Sequence, residues 1–277
     1  MSILLLPWIA VLLLGAIVPA AASAAPASSA PRSLRLMTYN LNYGNPKPET
    51  SLAAIEHEDA DIVLLQEITG SWKSALDRRF SQRYPHRIYR LYSRGAGGIA
   101  VLSKHAIARE ELWAPPAGTG AWFPAQRLVV DGPLGPMQIL NVHLRPAMID
   151  GSWIKGFLRT PPLRLAEITA HWKQLDAKLP TVIAGDFNED PWGRAVDYLQ
   201  QRGLSRVATA GPATWHYEAD GADLLKLDID HVMVDGRVAA RDGRVLDAGT
   251  SDHRPVVVTL EAKPALATPT PSPTSAP

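Results

Sequence analysis

Short apolar runs rich in β-branched residues recur along the middle of this chain, at 34–41, 61–66, 98–103, 126–130, 137–144, 181–184, 229–234 and 255–260. Runs this short and this apolar suit strands of a packed sheet, where neither face needs to meet water. Helical patterns lie between some of them, at 50–58, 71–83 and 191–202, with Pro191 suited to a first helical turn. The clearest covers 163–178, where Leu165, Ile168, Trp172 and Leu175 are spaced for one face. Strand follows strand over 126–144, and strand alternates with helix elsewhere. The expectation is an α/β fold with substantial antiparallel pairing.

The two ends read differently. Residues 1–30 carry no charge, and an apolar run over 3–18 gives way to small residues with cleavage options such as Ala22-Ser23-Ala24. This is the pattern of a signal peptide, so the expected location is periplasmic or extracellular. The run is shorter than the ~20 residues of a spanning helix; an uncleaved N-terminal membrane anchor is the alternative. Residues 264–277 hold five prolines and no charge, a disordered Pro-rich tail by composition. Residues 33–262 remain for one domain, with no internal repeat or linker to divide them.

Composition excludes several functions. The chain has no cysteine, so it has no disulfide framework, thiolate zinc site or iron–sulfur cluster. Its 28 Lys and Arg against 27 Asp and Glu give no sequence-wide grip on nucleic acid. A local basic patch stays open.

What stands out is how the apolar runs end. The first closes on Asn40 and Asn42, the second on Glu67, the run at 137–144 on His143, and the run at 181–184 on Asp186 and Asn188. Asp230 opens another, and Asp252 and His253 precede the last. Each has an ordinary reading alone: a turn residue, a helix cap, a core histidine. Together, strand ends that converge would gather them into one polar cleft. Carboxylates, amides and imidazoles without thiolate form a hard-oxygen site suited to Mg²⁺, Mn²⁺ or Ca²⁺. A phosphoryl group matches such a site, because it needs metal polarisation, a positioned water and donors for developing charge.

The order of these pieces resembles the endonuclease/exonuclease/phosphatase superfamily, which includes deoxyribonuclease I, apurinic/apyrimidinic endonucleases, inositol polyphosphate 5-phosphatases and neutral sphingomyelinases. The matching pieces are Thr38-Tyr39-Asn40-Leu41, Leu65-Gln66-Glu67, Gly97 through Ser103, Asn141-Val142-His143-Leu144, Gly185-Asp186-Phe187-Asn188, Ile229-Asp230-His231 and Ser251-Asp252-His253-Arg254-Pro255. The resemblance implies a four-layered α/β sandwich with two central mixed β-sheets, deoxyribonuclease I-like, and Mg²⁺-dependent phosphoester hydrolysis. It implies Glu67 as principal metal ligand, Asn40 on the metal and phosphate side and Asp252 as a further metal-side carboxylate. It implies Asp186 as the residue that orients or deprotonates water, Asn188 and His143 as phosphate donors, and His253 as a phosphate-contacting imidazole held by Asp230. Asn42 stands where some relatives carry Asp, which puts a second metal position in doubt.

The substrate is read from two stretches. Residues 113–123 are a loop by Pro and Gly content. Residues 145–162 carry Met148, Ile149, Trp153, Ile154, Phe157 and Leu158, interleaved with Arg145, Lys155 and Arg159. Packed on a sheet edge they are core; exposed, they form a surface for lipid or for stacked bases. The readings are therefore a phosphodiesterase on nucleic acid or another phosphate ester, the same chemistry on a phospholipid or a small phosphomonoester with membrane-surface contact through 145–162, or a non-catalytic binding protein of the same fold. A monomer is expected.

Overall fold

In the computed structural model, residues 32–92, 95–219 and 222–263 are described. One six-stranded sheet holds β1 (Ser33–Asn40), β2 (Ile62–Gln66), β3 (His86–Arg90), β4 (Ile99–Ser103), β13 (Val238–Val245) and β14 (Val256–Ala262), in the order β13-β14-β1-β2-β4-β3. The other holds β5 (Ala106–Trp113), β6 (Ala125–Gly132), β7 (Gly135–His143), β8 (Thr181–Asp186), β9 (Ser205–Arg206) and β12 (Asp230–Val234), in the order β5-β6-β7-β8-β12-β9. Each sheet is mixed: β1–β2 and β7–β8 pair parallel, and the remaining pairs within the two sheets are antiparallel. A separate hairpin is made by β10 (Trp215–Ala219) and β11 (Ala222–Leu227).

The period-2 alternation of the strands sorts their side chains into layers. Leu36, Ile62, Leu64, Ile139, Val182, Ala184, Val232 and Val258 fill the space between the sheets. The alternate residues Val63 and Leu65 pack outward on α1 (Pro48–Glu58) and α2 (Gly70–Phe80), through Ile55, Trp72, Leu76 and Phe80. Leu140, Val142, Ile183 and Met233 pack on α4 (Pro161–Trp172) and α5 (Arg194–Gln201), through Ile168, Val196 and Leu199. Helix, sheet, sheet, helix is thus the layer order: the four-layered α/β sandwich with two mixed central sheets.

Each of the eight apolar runs between residues 34 and 260 falls on a strand. The more polar β3, β5, β10, β11 and β13 were not marked by apolar runs. Two helices differ most from the sequence pattern. The helix expected over 163–178 starts at Pro161 and ends at Trp172. Helix α5 starts at Arg194 rather than Pro191, because the Glu189 carboxylate accepts from the backbone N–H of Arg194 (3.0 Å) and Ala195 (2.8 Å) and so caps it. Within 145–162, where the sequence pattern marks no helix, a short helix α3 (Trp153–Arg159) forms, with the Ser152 side chain accepting from the Lys155 N–H. Among the described residues no helix is long and apolar enough to cross a membrane. The signal-peptide and tail segments lie outside the described residues.

A buried amide cluster crosses the apolar layer between the sheets. Gln66 on β2 donates through Nε2 to Asn141 Oδ1 on β7 at 2.8 Å and to Thr38 Oγ1 at 3.1 Å. Asn141 Nδ2 in turn donates to the backbone carbonyls of Ala100 (3.1 Å) and Leu65 (3.4 Å) in the facing sheet. All of these side chains are fully buried, so each lost partner strands a group that water cannot reach. Asn141→Ala is therefore expected to cost about 1–3 kcal/mol, read as a lower urea midpoint; an unchanged midpoint contradicts the clasp.

Candidate active site

The inward-facing positions that build the apolar layer continue to the strand ends, and there they turn polar. Asn40 follows Leu34, Leu36 and Thr38 at every second position; His143 follows Ile139 and Asn141; Asp186 follows Val182 and Ala184. Asp230 leads Val232 and Val234 in the same way. Register then makes neighbours of them, since Asp186 pairs with His143 on one side and with Asp230 on the other. The polar cleft is the open end of the inter-sheet core. Glu67, directly after Gln66, and Asn188 both take left-handed backbone, with φ of 61° and 50°, conformations that non-glycine residues adopt at a cost. Gly185 permits the close approach of β7 and β8, because a Cβ there would lie 2.0 Å from the Val142 carbonyl oxygen.

The side chains form one connected set. His253 Nδ1 lies 2.9 Å from Asp230 Oδ2, and its Nε2 lies 3.6 Å from Asp186 Oδ2. His143 Nε2 approaches the same Asp186 oxygen at 3.4 Å, while Phe123 stacks on the His143 ring at 4.3 Å between centroids. Asn40 Nδ2 donates to both Asp186 Oδ2 (3.1 Å) and Glu67 Oε1 (3.2 Å). The other Glu67 oxygen accepts from the Tyr43 N–H at 2.9 Å. Asp186 Oδ1 accepts from the Asn188 N–H at 2.8 Å, and Asn188 Nδ2 donates to the Leu144 carbonyl at 3.0 Å. Asp252 accepts from Asn42 Nδ2 (2.8 Å) on one oxygen and from the Trp215 indole (2.9 Å) on the other. The nine residues expected from the sequence thus lie in one neighbourhood, joined by hydrogen bonds and by the 3.4 Å and 3.6 Å approaches of His143 and His253 to Asp186.

Burial sets the protonation. It pushes the Asp186 carboxyl well up from its ordinary value, with His253 opposing. Burial also works against charge on His253, but the carboxylates of Asp230 and Asp186 outweigh it and raise that imidazole to about 10. His143 is pushed down to about 3 by burial and by the His253 charge, so it is neutral. Burial raises Glu67, and the Asp252 charge adds to the rise.

The donor chemistry fits a hard divalent cation. Asp186, Asp230 and His253 bring ligand atoms within 4.8 Å of one another. A ligating imidazole must be neutral, whereas those two carboxylates hold His253 as a cation, so this trio reads as an acid–imidazolium chain. Glu67 and Asp252 are the carboxylates left for a cation, which would relieve their mutual repulsion. Asn40 has its Oδ1 on the Asn42 N–H at 3.0 Å and uses its Nδ2 to hold Glu67.

The sequence pattern of the Endonuclease/Exonuclease/phosphatase family matches residues 37–253, a span that contains every one of these side chains. The chain belongs to this family. Members of this superfamily are hydrolases of phosphoester bonds. A family protein from Bacteroides thetaiotaomicron superposes with a TM-score of 0.66 at 20% identity, over 84% of this chain and 99% of its own. The human Nocturnin catalytic domain with bound sulfate does so with 0.64 at 16%, over 84% and 96%. A mannosyl-6-phosphatase from B. thetaiotaomicron does so with 0.63 at 19%, over 82% and 99%. At these identities the likeness is one of fold. Comparison with curated protein sequences gives no match.

Three contributors were not singled out as site residues by the sequence reading. Gln66 and Asn141 stand inside the family pieces, and their signal was a polar residue on the inward face beside Glu67 and His143. Trp215 carried no signal, because its link to Asp252 joins distant segments. The geometry predicts that ¹⁵N-histidine NMR will find His253 protonated through pH 8. A raised pKa keeps the charged form at neutral pH, so Asp230→Asn should move its titration toward neutrality. A neutral wild-type imidazole at pH 7 would contradict the ion pair.

Proposed function

We propose that this family member is an exported, Mg²⁺-dependent phosphodiesterase that acts on phospholipid at a membrane surface. The reading of phosphodiester chemistry is carried by one observation: the His253 imidazole, held by Asp230, faces the buried Asp186 carboxylate across 3.6 Å. Asp186 orients the attacking water and takes its proton. His253 places positive charge on a non-bridging phosphoryl oxygen as negative charge develops there. His143 and Asn188 line the same cavity and complete the phosphate contacts. Glu67 and Asp252 would hold the metal, which supplies Lewis-acid polarisation of the phosphoryl group.

The lipid reading is supported by what surrounds the polar centre. The cavity, about 750 Å³, continues past it between walls that include Phe123, Met148, Trp153, Phe157, Trp215 and Tyr217. On the rim Trp153, Ile154, Phe157 and Leu158 of α3 are exposed, as are Trp192 and, on the hairpin, Tyr217, Leu224 and Leu225. Large apolar side chains clustered in solvent mark a contact surface. Lys155 and Arg159 on α3 suit anionic headgroups. Nucleic acid is the competing substrate, since the same aromatics can stack bases. Balanced charge gives no field to draw a duplex to them.

Purified protein assayed with Mg²⁺ or with EDTA on phospholipid vesicles, plasmid DNA, RNA and bis-p-nitrophenyl phosphate tests this. Lipid cleavage abolished by EDTA is expected; EDTA-resistant cleavage rejects the metal, and cleavage of nucleic acid alone rejects the lipid. Asp186→Asn and His253→Ala should each lower turnover about 10²–10⁴-fold while the folded state persists by circular dichroism. Sequencing the mature N-terminus should start beyond residue 20; an intact Met1 in the membrane fraction would replace export by anchoring.

A further inference from the structure

The apolar wall and the acidic centre meet at one side chain. Trp215 is nearly buried. Its ring lies 6.2 Å from Trp153 of α3 and stacks on Tyr217 at 6.4 Å, while its indole N–H donates to Asp252 Oδ2 at 2.9 Å. The base of the hairpin is sewn to the catalytic segments as well. His216 N–H donates to the Asp252 carbonyl (3.0 Å), and Arg254 N–H to the Thr214 carbonyl (2.6 Å). Thr214 Oγ1 accepts from the N–H groups of Ile229 (2.9 Å) and Asp230 (3.0 Å). A shift of the hairpin base would break these links or carry Asp252 and Asp230 with it.

We propose that Trp215 is a positioning residue that couples occupancy of the Trp153–Tyr217 wall by an apolar chain to the placement of the Asp252 carboxylate. Asp252 has one further side-chain amide donor, from Asn42, on its other oxygen. Removing the indole N–H frees one carboxylate oxygen without removing the wall, so binding and turnover should separate. The inference rests on the lipid reading for the identity of the wall's occupant, but the Trp215–Asp252 link stands apart from it.

The test uses the full chain. Trp215→Phe keeps a ring in the wall and removes the donor. On phospholipid vesicles, kcat should fall about tenfold, the size expected for a hydrogen bond to a charged group, with KM unchanged. Protein labelled with 5-fluorotryptophan gives a readout independent of turnover. The resonance missing from the Trp215→Phe spectrum should move on addition of Mg²⁺, and move again when dihexanoylphosphatidylcholine micelles are added in EDTA. Asp252→Asn should abolish the first response and keep the second. Trp215→Tyr serves for assignment and kinetics if the Phe variant does not fold. Unchanged kcat, a raised KM, or a resonance blind to Mg²⁺ overturns the coupling. A resonance that follows Mg²⁺ but ignores micelles, with hydrolysis of bis-p-nitrophenyl phosphate intact, overturns the lipid reading and leaves the Trp215–Asp252 link standing.

Discussion

The site depends on the hydrogen bond between Gln66 and Asn141 across the apolar space between the sheets. Apolar contact holds two sheets face to face but is non-directional, and it tolerates a sliding offset. A buried amide pair does not, because a small displacement leaves its donors and acceptors unmatched. Gln66 is followed directly by Glu67, and Asn141 stands two residues before His143 on the same face. The clasp therefore fixes the Glu67 side of the cleft, carried by one sheet, against the Asp186 and His143 side, carried by the other. A misplacement of about 1 Å in such a constellation can cost on the order of 10²-fold in rate.

The electrostatics of the cleft carry a stability cost. Asp186, Asp230 and Glu67 come together where water is scarce, and burial lifts Asp186 and Glu67 from their ordinary values. His253 offsets part of this as a cation between two acids. Around it the backbone of Asn42, Glu67 and Asn188 sits in the left-handed region. Strained backbone and crowded carboxylates persist where the surrounding fold over-determines them. Here that fold is six-stranded on each side, with the polar cluster at its rim.

Much of this was legible in the sequence, for a reason visible at β8. Val182, Ala184 and Asp186 share one face while Ile183 and Phe187 pack outward, so a two-face-buried strand reads as a continuous apolar run that ends in chemistry. Strand β5 lacked that signature. Its Ala-Ile-Ala-Arg-Glu-Glu-Leu-Trp is largely solvated, and its place comes from pairing with β6. Helix α3 was hidden by Gly151, Gly156 and Pro161, which punctuate a loop by composition; its start depends on the Ser152 cap. Helix α5 took its start from a carboxylate five residues upstream rather than from Pro191. Trp215 was invisible because its function is a contact with Asp252, 37 residues away.

The balance of 28 basic to 27 acidic residues bears on selectivity as well as on solubility. An enzyme that gathers polyanions by long-range attraction needs a strong positive field, and that field fades with salt. This chain gathers acids in its cleft and keeps its net charge near zero, so it has no strong overall positive field. Under the phospholipid function proposed above, recognition falls to short-range contact with the apolar rim formed by α3, Trp192 and the β10–β11 hairpin. Apolar contact is insensitive to salt and grows with area buried. A substrate selected this way has to bring apolar surface next to its phosphate, and the indole of Trp215 lies where that surface would meet the acid.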